Sequence, residues 1–284
     1  MSGDKKGLIL EGGAMRGMFT CGVLDVFMEN GITFDGAAGI SAGAVFGCNY
    51  KSHQPGRALR YNKKYCRDPR YCSIRSLITT GDLYGADFCY NELPRRLDPF
   101  DRDTFKNDPM EFYIGATDVK TGNAVFHLCD TMGKRDMLWM RASASMPLVS
   151  RTVRVDGYEL LDGGIVNSVP YSFMERRGYN RNVIILTQPS GFTKSPANML
   201  PFRLLLKAYP KVVEAMSVRH EMYNRQMEEI DRREASGESL VIRPAESLGI
   251  SRTENDPSEL ERVYDIGRAE AKKRLQEVRD FLQR

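Results

Sequence analysis

Histidine is scarce in this chain of 284 residues, which holds three of them. No two of its six cysteines, at positions 21, 48, 66, 72, 89 and 129, form a C-x-x-C pair, and most sit beside apolar residues, so reduced thiols are expected. No metal and no cofactor are expected. Nor is there an excess of charge: Lys plus Arg number 41 against 37 Asp plus Glu, a net +4, too slight to argue for a nucleic-acid partner. A weak attraction to anionic membrane surfaces stays open. No apolar run approaches the roughly 18 residues of a spanning helix. The opening "MSGDKKGLIL" has only a four-residue apolar stretch before Glu11, far short of a signal peptide. These absences lead us to expect a soluble, cytoplasmic chain; its oligomeric state has no signal in the sequence.

At 42% hydrophobic the chain can bury a large core, and its length suits one big α/β domain. The apolar run Gly7–Leu10, the glycines after it, and the helical spacing of Met15, Met18, Phe19, Val23, Val26 and Phe27 read as strand, turn and helix. The pattern repeats in "FDGAAGI" followed by "SAGAVFGCNYK". Later, "EFYIGATDV", "AVFHL" and "NVIIL" read as strands, with "KRDMLWMRASA" and "PYSFMERRG" as helices. In "TVRVDGYELL", Asp156 and Gly157 mark a two-residue hairpin. Beyond residue 189 the chain reads as a loop, an apolar and basic stretch over 199–216, a charged helix, the strand "SLVIRP", a surface loop, and an amphipathic terminal helix. The apolar runs suit a sheet covered on both faces.

Three segments carry chemistry. "GISAG", residues 39–43, matches the G-x-S-x-G elbow, in which Gly39 and Gly43 leave room for a tight turn beneath Ser41 and the following helix offers a positive dipole end. "EGGAMRG", residues 11–17, closes the first strand with amides free to converge on a negative atom, either as an oxyanion loop or as a dinucleotide cradle; the latter needs glycine where Ala14 stands. A serine nucleophile needs a base. His53, His127 and His220 each lack a special setting, whereas "LLDGG" ends an apolar strand in Asp162 followed by Gly163 and Gly164, where a carboxylate would project from the top of the sheet. Alone, that segment also reads as an Asp-Gly turn capping a hairpin.

Together, in this order, the three segments resemble the patatin-like phospholipase family, which combines a glycine-rich loop with an arginine, a G-x-S-x-G elbow and a D-G-G or D-G-A acid motif. "ASASMP", residues 142–147, with Asn167 and Pro170, extends the likeness over roughly residues 7–190. The resemblance implies a three-layer α/β/α fold with a central, mostly parallel sheet: a catalytic core over 7–190 and a helical extension, 191–284, packed on the same domain. It implies a lipid acyl hydrolase acting through a Ser-Asp dyad and an acyl-enzyme. Ser41 would be the nucleophile and Asp162 the base. Gly12, Gly13 and Ala14 would supply the oxyanion hole, and Arg16 would brace the loop, with alanine standing where the family commonly has a third glycine. The partner implied is a lipid ester, with peripheral membrane contact through 199–216 left open. Two rival readings are an α/β-hydrolase triad using His127 or His220, and a non-catalytic nucleotide-binding module built on "GGAMRG".

Overall fold

The computed structural model describes residues 4–283. The chain begins β1 (Lys5–Leu10), α1 (Gly17–Glu29), β2 (Gly36–Ile40) and α2 (Ala42–Lys51), two successive strand-turn-helix units. Three helices follow, α3 (Arg57–Tyr65), α4 (Ile74–Thr80) and α5 (Arg102–Asn107), with a π-helical segment Phe88–Leu97 between the last two. The chain then returns to the sheet in β3 (Glu111–Asp118) and β4 (Ala124–Cys129), and continues through α6 (Lys134–Ser143) to the hairpin β5 (Val153–Val155) and β6 (Tyr158–Asp162). After α7 (Tyr171–Arg176) and β7 (Tyr179–Ile185) come α8 (Leu200–Leu205), α9 (Pro210–Ser236), β8 (Ser239–Ile242) and α10 (Pro257–Gln283).

Eight strands form one sheet in the order β5-β6-β3-β2-β1-β7-β8, with β4 added on β3. From β3 to β8 neighbours run parallel, while β4, β5 and β6 pair antiparallel. Strand alternation divides the core into two layers. Leu8, Leu10, Phe112 and Ile114 face α1, α2 and α10; Ile9, Tyr113, Ile184 and Val241 face Met174 of α7 and Ile230 of α9. The result is the three-layer α/β/α arrangement expected from sequence. The predicted hairpin also forms, with Asp156 and Gly157 at φ 51° and 81°, the left-handed pair its twist requires. All six cysteines are free thiols. No helix among the described residues is long and apolar enough to cross a membrane.

One register determines where the chemistry can occur. Gly115 of β3 pairs with Ile40 of β2, and the next residue, Ala116, pairs with Asp162 of β6. Because β4 occupies the other edge of β3 through Gly115 and Ala116, β2 and β6 must share one edge, end to end. The chain leaving β2 therefore meets the end of β6.

Candidate active site

Ser41 stands between β2 and α2 with φ 53° and ψ −122°, a backbone conformation costly for any side-chain-bearing residue. The turn is held from below: Ser41 N–H donates to Ser143 Oγ at 2.8 Å, and that hydroxyl donates to the Gly115 carbonyl at 2.6 Å. The glycines of the elbow are needed for close approach. A Cβ on Gly43 would lie 2.5 Å from Leu10 O, and one on Gly39 2.6 Å from Ala44 N.

Across the strand junction, Ser41 Oγ donates to Asp162 Oδ2 at 2.6 Å. Asp162 Oδ1 accepts from Gly164 N–H at 2.7 Å, and the acid's own backbone is fixed by Asp162 N–H to Ser145 O and by Thr117 Oγ1 to Asp162 O. Gly163 lets this segment close on β3, since a Cβ there would come within 2.5 Å of Gly115 O. Burial raises the Asp162 pKa above its ordinary value, opposed by the hydrogen bonds from Ser41 and Gly164 and by the positive charges of Arg219 and Arg252.

The loop 11–17 lies directly against the serine: a Cβ on Gly12 would sit 3.1 Å from Ser41 Cβ. Gly12 N–H points to Ser168 O at 3.4 Å. Among the described residues, Gly13 and Ala14 N–H have no protein acceptor, and Ala14 adopts φ 49°. The Arg16 side chain makes no hydrogen bond or ion pair among the described residues, and its Nε is buried without a partner. The loop is anchored instead by Glu11, whose buried carboxylate accepts from Thr187 N–H, Thr187 Oγ1 and Tyr223 Oη.

The histidines lie elsewhere. His127 Nε2 pairs with Asp136 at 2.7 Å and stacks on Trp139; His53 Nε2 pairs with Asp108 at 2.6 Å; His220 Nε2 lies 3.9 Å from Glu221. None bonds to Ser41 or Asp162. His127, Cys129 and Asp136 offer three potential metal-ligand atoms within 4.8 Å of one another. The Asp136 carboxylate is hydrogen-bonded to His127 and Thr131 N–H, and burial pushes the Cys129 thiol well above its ordinary pKa.

Two cavities meet at Ser41. One, of about 110 Å³, is lined by apolar and aromatic groups including Val45, Phe46, Tyr61, Leu93, Met137 and Met140. The other, of about 370 Å³, carries Asp162, Arg16, Lys194, Arg219, Tyr223 and Arg252. Ala14, Ser41 and Met146 belong to both.

Comparison with known proteins gives this geometry a lineage. The family model described as patatin-like phospholipase matches residues 8–174, more than half of the chain. The chain belongs to the patatin-like phospholipase family. A second model, a domain of unknown function (DUF6363), matches residues 209–283. Among relatives of the patatin-like chain, the uncharacterized protein YjjU of Escherichia coli is 30% identical over 195 residues, covering 66% of this chain and 54% of that protein. Lysophospholipase NTE1 of Chaetomium globosum is 25% identical over 185 residues, covering 63% of this chain and 12% of that one. Neuropathy target esterase sws of Drosophila melanogaster is 28% identical over 192 residues, again covering 63% and 12%. The chain thus spans about half, or less, of the length of these relatives. Membership in this family supports a lipid hydrolase as the coarse functional class.

Sequence reasoning missed the two residues that hold the site together. Ser143 lies inside the small-residue segment 142–147, but nothing in its spacing marks its hydroxyl as the support beneath the elbow. Glu11 adjoins the glycines, and its partners come from residues 187 and 223, too distant in the chain to be inferred.

Proposed function

We propose that this chain hydrolyses carboxylic esters of lipids through a Ser41-Asp162 dyad and an acyl-enzyme, within a catalytic core over residues 7–190 on which 191–284 packs. The observation that carries the reading is the 2.6 Å hydrogen bond from Ser41 Oγ to Asp162 Oδ2 at the meeting point of an apolar and a polar cavity. Ser41 Oγ attacks the ester carbonyl as its proton passes to Asp162, and the N–H groups of Gly13 and Ala14 receive the charge that develops on the carbonyl oxygen. Asp162 then returns the proton to the departing alcohol. In the second half it takes a proton from water, which attacks the acyl-enzyme, and passes that proton to Ser41 Oγ as the acid departs. The acyl chain lies in the apolar cavity. Leu200, Leu204 and Leu205 of α8 are exposed around Phe202, which lines the polar cavity, and this supports peripheral contact with a lipid surface. Six free thiols suit a reducing compartment, the cytoplasm.

The test is hydrolysis of a panel of lipid esters by the wild-type protein, Ser41→Ala and Asp162→Asn; equal turnover by all three rejects the reading. Two further results are expected. His127→Ala and His220→Ala, assayed on the same ester, keep kcat within the range that folding changes produce; a loss matching that of Ser41→Ala would restore the triad. Because Asp162 must be ionised to accept the proton and its pKa is raised from 3.8 by burial, kcat/KM falls on the acid side with a midpoint above that value. A pH-rate profile flat down to the ordinary aspartate range would contradict the assignment.

A further inference from the structure

The larger cavity beside Ser41 is rich in cationic side chains. Four basic side chains line it: Arg16 from the glycine loop, Lys194 from the loop after β7, Arg219 from α9, and Arg252 from the segment before α10. The carboxylates present are Glu11 and Asp162, and both are engaged, Glu11 by Thr187 and Tyr223, Asp162 by Ser41 and Gly164. Among the described residues, none of the four cations has a carboxylate within ion-pair distance, although arginines elsewhere, such as Arg233, Arg243 and Arg268, are paired. Arg219 spends its Nε on the Gly164 carbonyl, which leaves its terminal nitrogens open.

Such an arrangement is costly without a ligand. Like charges gathered in a half-buried space repel one another, and the buried Arg16 Nε forgoes a hydrogen bond. The repulsion is felt at Lys194, whose pKa is pushed down to about 7, first by burial and then by Arg219. An anion with several acceptor oxygens would relieve all of this, and guanidinium forks match phosphate oxygens in shape.

Position decides which half of the substrate bears that anion. The apolar and the cationic cavity share Ala14, Ser41 and Met146 and otherwise have separate linings. We propose that Lys194, Arg219 and Arg252, with Arg16, form a phosphate subsite for the alcohol half of the ester, so that the preferred substrate is an acylated glycerol phosphate. This rests on the reading of the site as a lipid ester hydrolase. It gives the chain beyond the family match a role, since three of the four cations lie outside residues 8–174.

The test compares two esters of one acyl chain, 1-acylglycerol 3-phosphate and the neutral 1-acylglycerol, with wild type, Arg252→Gln and Lys194→Gln. Arg252 is exposed, and among the described residues its side chain makes no hydrogen bond or ion pair, so its replacement should not disturb folding. The expected result is a wild-type preference for the phosphate ester of at least tenfold in kcat/KM, and a fall of that ratio by about tenfold in Arg252→Gln, expressed mainly in KM. An unchanged ratio in both variants overturns the proposal. Calorimetry with glycerol 3-phosphate on Ser41→Ala reads the subsite without catalysis: binding that Arg252→Gln weakens tenfold supports it, and no binding overturns it. If neither ester is cut but glycerol 3-phosphate binds, the hydrolase reading fails and the subsite stands. Inorganic phosphate binding as tightly as glycerol 3-phosphate, without competing against the lipid, would mark a free-ion site and also overturn the assignment.

Discussion

Replacing Ser41 by alanine is expected to reduce lipid ester hydrolysis to background, a loss on the order of 10⁶ where covalent catalysis carries the reaction. Asp162→Asn is expected to lower kcat by about 10³ or more, because asparagine can hold the hydroxyl but cannot take its proton. Stability measurements keep these losses from being read as unfolding. Ser41 sits at φ 53°, a conformation that glycine adopts freely, so Ser41→Gly should lose all activity while stability changes by no more than about 1 kcal/mol, favouring the variant. Asp162 gives a second check with a definite sign. Its folded pKa is raised, so the protonated form is the one the fold prefers, and the stability it contributes below the ordinary aspartate pKa is lost as pH climbs through the raised one. At pH values above that raised pKa, where the loss is complete, Asp162→Asn should melt no lower than wild type. A variant both inactive and markedly less stable would instead mark these residues as structural.

The other large effect lies far from the chemistry, where α1 crosses α10. A Cβ on Gly22 would come within 2.1 Å of the Tyr264 carbonyl, and one on Gly267 within 2.0 Å of the Phe19 carbonyl. Both obstacles are backbone, which cannot swing aside as a side chain can. The helices must separate or shift, and overpacking of this kind typically costs about 1–3 kcal/mol, more when backbone opposes backbone. Gly267→Val is expected to cost about 3 kcal/mol or more, lowering Tm by roughly 6–12 °C in a chain of this size. Lys272→Val, on the exposed side of the same helix, should stay within about 0.5 kcal/mol of neutral beyond its helix-propensity cost. Because α1 begins at Gly17, immediately after the loop carrying Gly13 and Ala14, Gly267→Val should also lower activity at temperatures well below its Tm. Thermal unfolding of the two variants, followed by circular dichroism, decides the matter; a Gly267→Val protein as stable as wild type would mean that the two helices do not meet through these glycines.

How much of this was legible beforehand depended on how local the signal was. The two strand-turn-helix units and the 156–157 hairpin are written in short stretches, and they form as read. Residues 52–107 were not resolved into elements from sequence. Their helices are short, and one segment is π-helical with Pro94 inside it, so no single period runs through them. The stretch 199–216 reads as one apolar and basic unit, but the chain breaks it after Leu205 and starts α9 at Pro210, where a missing N–H is harmless. In the candidate site, Ser41 and Asp162 could be named because each ends a strand at a glycine-marked turn. Their meeting could not be derived from spacing; it follows from β2 and β6 sharing one edge of β3, a pairing between residues far apart in the chain. Ser143, Glu11 and the cations of 191–284 are of the same kind, individually ordinary and informative only once the fold brings them together.

The most direct measurement of the central claim is intact-mass and peptide analysis after treatment with a fluorophosphonate, comparing wild type, Ser41→Ala and Asp162→Asn. One adduct on Ser41 in wild type, none in Ser41→Ala, and labelling slowed by orders of magnitude in Asp162→Asn is the result predicted here. Wild-type protein that takes no label, takes it on another residue, or is labelled just as fast without the Asp162 carboxylate would contradict it.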